Sequence, residues 1–328
     1  MKVLLKKLFS HLYVLVVCIF LPLNSMEERR LPLTPVKESN LHNGARIPVT
    51  PSGKALRLKV ARGVKRCIEG TAATENFDEN EIEAELLTAS PHTLTRRLRR
   101  KSMDRFQAAC DAHGVTHDQI NAIMPAGRAA LASFVDADRY FKPKAPEAIE
   151  SEFKVVAQKF KAAHFHLRQD PSVENAANSG TMVLVNPVGL KSLTELQRAA
   201  VYAHEITHGK NEDVAVRTAV AFVFNGQGKL DLYKAQLQGI LSRTQETFAD
   251  LAPAATSPTI AQGLLEYRKE LLAKHGPGAP TTHPANDAWA QLDQTMVELH
   301  AKHKEELARK ERFAGLNRRF KQQLEEAS

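Results

Sequence analysis

The sequence predicts an α+β protein, mainly helical, with a small β-sheet lying over one central helix. Three observations predict it. Apolar residues recur at helical spacing through most of the chain beyond residue 80. Strand patterns are few and short, at His164–Arg168 and Thr181–Val185. The second of these runs through the turn Asn186-Pro187 into Ser192-Leu-Thr-Glu195, an S-x-x-E capping box. That box opens a helix carrying Leu196, Ala199, Ala200 and Ala203 towards His204 and His208.

Composition is ordinary for a globular chain: 328 residues, 43% apolar and 25% charged, with a net charge of +8. That charge favours weak attraction to anionic surfaces and says nothing about fold. Residues 1–25 read as a secretory signal: Lys2, Lys6 and Lys7, then an apolar run from Leu12 to Leu21, then Pro22-Leu-Asn-Ser25. The run is short for a transmembrane helix, and Leu23 is a poor residue before a cleavage site. Export to a periplasm or beyond the cell is therefore expected, with an uncleaved anchor as the alternative.

Residues 26–145 form an N-terminal extension. Pro32, Pro35, Pro48 and Pro51 with little periodicity predict a linker to about Ala72. Glu81 to Leu87 is acidic and amphipathic, and Arg96-Arg-Leu-Arg-Arg-Lys101 is a basic run. The run is a solvated helix face or a weak contact with an anionic surface. It lacks the interleaved aromatics of single-strand binders, so no specific nucleic acid is expected. The extension as a whole reads as a propeptide, a lid or a separate module. Cys67 and Cys110 are either a disulfide or two buried thiols.

Lys142-Pro-Lys-Ala-Pro146 marks a boundary, and residues 146–328 form the main domain. Phe153, Val156 and Phe160 share a helix face; His164 and His166 share a strand face as a solvent-facing pair or a weak metal site. A polar loop, Lys210–Asp213, leads to an apolar helix from Val214 to Phe224. A long helix follows from about Lys229 to Ala252, where Pro253 is expected to stop it. A helix to His275 and a long charged one from Asn286 close the chain.

Chemistry concentrates in His204-Glu205-x-x-His208. Residues four apart on a helix lie on one face, so both imidazoles can bind one Zn²⁺, leaving Glu205 beside the metal to reach a water. In the long helix, Gly239, Arg243, Glu246 and Asp250 form a stripe distinct from the apolar one of Leu237, Leu241, Phe248 and Leu251. Glu246 is expected to be the third metal ligand. Asp250, one turn on, is expected to accept the free N–H of a ligand histidine.

Over about residues 150–300 these pieces resemble the zinc metallopeptidases of the CAAX prenyl protease and HtpX type. The resemblance rests on His204-Glu-Ile-Thr-His208, on Glu246-Thr-Phe-Ala-Asp250 as E-x-x-A-D, and on Thr282-His-Pro284 as T-H-P. It implies a zincin-like domain with His204, His208 and Glu246 on zinc, Glu205 as general base, and His283 donating to the oxyanion. The family's arginine six residues after that histidine is Trp289 here. A zinc metalloendopeptidase acting on peptide or protein substrates is the expectation, with the substrate adding to the edge of the Thr181–Val185 strand. The alternatives are an inactive zincin scaffold that binds partners, and a chain whose basic N-terminal region is the working part.

Overall fold

A computed structural model describes residues 52–69, 90–278 and 283–327. The signal sequence, the acidic segment 81–87 and Thr282 lie outside the described residues. Among those described, the chain is mainly helical with one small sheet, as the sequence predicts.

The described part opens on α1 (Gly53–Glu69), where a linker was expected. The correction has a plain cause. Leu56, Val60, Ala61, Val64, Cys67 and Ile68 recur at helical spacing and are all buried. Pro48 and Pro51 precede this run and do not interrupt it. α2 (Pro91–Ala112) starts at the N-cap Ser90, with Pro91 in its first turn, and buries Leu94, Leu98, Phe106 and Cys110. Cys67 and Cys110 are free thiols, both buried. α3 (His117–Phe141) follows a Thr116–Gln119 capping box.

α4 (Glu147–Lys159) leads to β1 (His166–Gln169), β2 (Ala176–Ser179) and β3 (Met182–Val185). The sheet order is β1-β3-β2, with β1 parallel and β2 antiparallel to β3. Strand β3 is therefore central and has no open edge, contrary to the expectation that a substrate would add there. Its four residues are all apolar and all buried, which suits a strand flanked on both sides. Strands β1 and β2 are the two edges, and β1 is joined on its outer side by the bridge Lys144–Arg168. The first strand starts at His166, so exposed His164 lies outside it and the two histidines do not form a strand-face pair.

Helix α5 (Pro187–Lys191) is a short turn that ends at Ser192. The main helix, α6 (Glu195–Lys210), is capped by Thr194, not by Ser192 as expected. Ser192 instead donates its hydroxyl to the Gly189 carbonyl, while Thr194 and Gln197 bond reciprocally at 3.2 and 2.8 Å. Two overlapping capping patterns compete here. Asn186 and Pro187 start the first helix, which leaves Ser192 at its end.

Nearly every residue of α6 from Ala200 to His208 is buried, so it is the centre of the fold. Tyr202 meets Phe153 of α4 edge-on, with ring centroids 5.7 Å apart. Phe153, Tyr202, Phe248 and Trp289 are among the largest fully buried side chains, the two phenylalanines worth about 1.5–3 kcal/mol each. Gly209 lets α6 approach the sheet. A Cβ there would lie 2.3 Å from both the Gly180 carbonyl and the Phe165 ring.

α7 (Asp213–Gly226) follows a left-handed Glu212, with φ 57°. A single helical turn (Leu230–Leu232) and a π-helical turn (Tyr233–Leu237) lead into α8 (Gln238–Thr256). Pro253 does not stop α8, which runs three residues further. The missing N–H falls in the last turn, and Ser257 N–H still reaches the Pro253 carbonyl at 3.1 Å. α9 (Pro258–His275) and the long α10 (Asn286–Ala327) complete the chain. Helices α1, α2, α6, α8, α9 and α10 pack together, and residues 50–328 form one compact unit.

Candidate metal centre

Helices α6 and α8 face each other across the core, and their polar residues meet where apolar ones would be expected. His204 and His208 are 8% and 4% exposed, Glu205 8%, and Glu246 7%. His204 Nε2 lies 3.0 Å from His208 Nε2. Glu246 Oε2 lies 3.2 Å from the first and 3.3 Å from the second. All three expected ligands thus point at one spot, and among the described residues this is the group of His, Cys, Asp and Glu side chains able to hold a metal.

The outer nitrogens explain why. His204 Nδ1 donates to Asp250 Oδ1 at 2.5 Å, the partner expected from the sequence. His208 Nδ1 donates to Asp213 Oδ2 at 2.9 Å. With each Nδ1 carrying the proton, each Nε2 turns a lone pair inward. Two lone pairs and a carboxylate oxygen held this close repel one another unless a proton or a metal ion sits among them. Their spacing matches the roughly 3.3 Å edge of a tetrahedron with zinc–ligand bonds of about 2.05 Å. The donor set therefore fits Zn²⁺.

Electrostatics agree. Burial alone would push both histidines down, but Asp250 and Glu246 hold His204 well above its usual value. For His208, Glu246 and Asp213 outweigh burial and push it up to about 9. Glu246 resists the upward push of burial and is held well below the carboxylate range by His208 and His204. Burial raises the Glu205 carboxyl, partly offset by the two histidines.

A pH dependence of the metal-free protein follows. Histidine titrates near 6.5 when unfolded, and His208 near 9 when folded, so the fold holds this proton more tightly. That stabilisation is whole below about pH 6.5 and is lost as pH rises through about 9. Chelator-treated protein should melt at a lower temperature at pH 9.5 than at pH 6.5. A zinc ion binding there would have to displace the same proton, so its affinity should rise with pH up to about 9. Thermal melts and chelator competition across this range check both.

Two groups of the site were missed in the sequence. Asp213 was read as part of a polar loop, but left-handed Glu212 turns the chain so that Asp213 comes back to His208. Arg268 of α9 donates to Asp250 Oδ2 through Nε at 3.1 Å and Nη2 at 2.7 Å. Its guanidinium lies 3.3 Å from the centre of the Trp289 ring. A signal for Arg268 was present: it falls on the buried stripe of Ala261, Leu264 and Leu265, where a charge needs a partner. Asp293 of α10 follows the same pattern. It is wholly buried one turn after Trp289, neither oxygen has a hydrogen-bond partner, and burial pushes its carboxyl well up.

His283 is half-exposed, with Nε2 3.6 Å from Glu246 Oε2 and its ring 5.9 Å from that of Trp289. It lies at the rim of the cluster. His164 and His166 take no part in it.

Fold and site together define a mainly helical α+β protein with a buried two-histidine, one-carboxylate cluster. Comparison with known proteins found no matching family model, no matching curated protein and no matching solved structure.

Proposed function

We propose that the chain is a zinc-dependent metalloendopeptidase with a zincin-like catalytic domain. One observation carries the reading: His204, His208 and Glu246 converge to within 3.0–3.3 Å while Glu205 is buried beside them. Burial disfavours the ionised form of the Glu205 carboxyl, so holding it there costs stability. A scaffold that merely bound metal would have no use for it, which weighs against the inactive reading.

When bound, zinc would supply Lewis acidity to a water and to the scissile carbonyl. Glu205, its affinity for a proton raised by burial, would serve as the base that takes a proton from the attacking water and returns it to the leaving amine. His283, at the rim, is the candidate donor to the oxyanion. The substrate is an extended peptide, and β2, an edge strand that packs beside α6, is the strand it would extend. Among the described residues, no helix is long and apolar enough to cross a membrane.

The test is metal content and casein hydrolysis of the full chain, before and after chelation. Stoichiometric zinc, activity lost on chelation and regained with zinc is the expected result. Absence of zinc from protein purified and refilled in zinc buffer would sink the reading.

A further inference from the structure

The extension that the resemblance does not cover reaches the metal cluster. Helix α2 carries the basic run, in which Arg96, Arg97 and Arg100 are exposed. Arg99 is turned inward. Its Nη1 donates to Asn211 Oδ1 at 2.5 Å, and its Nη2 lies 3.9 Å from Asp213 Oδ1. Asp213 is 3% exposed, and its other oxygen accepts from His208 Nδ1. Gln245 of α8 also holds the Asp213 backbone carbonyl, at 3.0 Å.

A buried carboxylate is costly unless a cation faces it. Asp250 has Arg268, and Asp213 has Arg99. Each ligand histidine is thus backed by an aspartate, and each aspartate by an arginine. The two arms differ in depth: Arg268 is buried, whereas the Arg99 side chain is 36% exposed. Leu94, Leu98, Phe106 and Cys110 root α2 in the fold, so Arg99 is delivered by a packed helix.

The geometry points to Asp213 and Arg99 as positioning residues for His208, and so to α2 as a working part of the metal centre. This rests on the zinc reading above.

The test uses the full chain as wild type, Asp213→Asn, Arg99→Ala and Arg99→Lys. Zinc affinity is read by competition with a chromogenic chelator, and ligand geometry by the visible spectrum of the Co²⁺ form. Asp213→Asn should weaken zinc about 10–100-fold and alter the Co²⁺ spectrum. Arg99→Ala should weaken it about 2–5-fold, as expected of a partly exposed pair, with the difference shrinking at high salt. Arg99→Lys should recover most of that loss. A role only in stability would lower the melting temperature and leave affinity and spectrum unchanged. Wild-type affinity in both Asp213→Asn and Arg99→Ala overturns the proposal. So does a loss confined to Asp213→Asn, because it removes α2 from the centre. A wild type that binds no zinc is a different result: it fails the zinc reading itself and takes this inference with it.

Discussion

Glu205→Gln should lower the rate of peptide hydrolysis by about 10²–10⁴-fold, the range for loss of a general base, while zinc stays bound. Gln keeps the shape of Glu and none of the three converging ligand atoms belongs to this residue. The loss should appear in kcat with KM little changed, because the carboxylate acts on the water and not on the bound peptide. A second readout separates this role from a structural one. Glu205 is a buried carboxyl whose ionised form is disfavoured by burial, so the neutral amide should leave the melting temperature equal or higher. Full activity in a zinc-loaded Glu205→Gln protein would remove Glu205 from the mechanism. Full zinc loss in it would mean that the carboxylate supports the ligands instead.

The second large effect is expected at Asp250. Its two oxygens serve His204 Nδ1 and Arg268, and it is 1% exposed. Arg268 pulls its carboxyl down against the upward push of burial, and His204 adds to that pull. Asp250→Ala leaves the Arg268 cation buried without its anion, a break that costs about 3–5 kcal/mol. Melting temperature should fall by on the order of 10 °C. Zinc should also bind about 10–100-fold more weakly, since His204 loses the acceptor that fixes its tautomer. Replacing both charges, as Asp250→Leu with Arg268→Met, tests the cause. Stability should largely return because no charge is left unpaired, while zinc affinity stays low. Recovery of both would show that Asp250 serves packing alone.

The sequence was a good guide wherever the physics is local. His204 and His208, and Glu246 and Asp250, are pairs four residues apart, and helical geometry puts each pair on one face whatever surrounds it. Met182–Val185 reads as a strand from its own residues. Local signals misled where two of them competed. Ser192 and Thr194 both head capping patterns, and Pro253 sits where a helix can end or tolerate it. The prolines before α1 suggested a linker because its apolar stripe finds its partners chiefly in distant helices, α8 and α10.

By itself, the sequence determined the mainly helical class, the His204–His208 pair with the adjacent Glu205 carboxylate, and the register of Glu246. Beyond Asp250, only the tertiary structure decided which groups support them. Arg99 meets Asn211 across 112 residues of chain, and Arg268 comes to Asp250 from the next helix. It also decided that β3 is central, with β1 and β2 at the edges. The reason is physical. Backbone geometry repeats every few residues and is written locally, whereas a buried carboxylate needs a cation in space, and packing alone determines which arginine arrives.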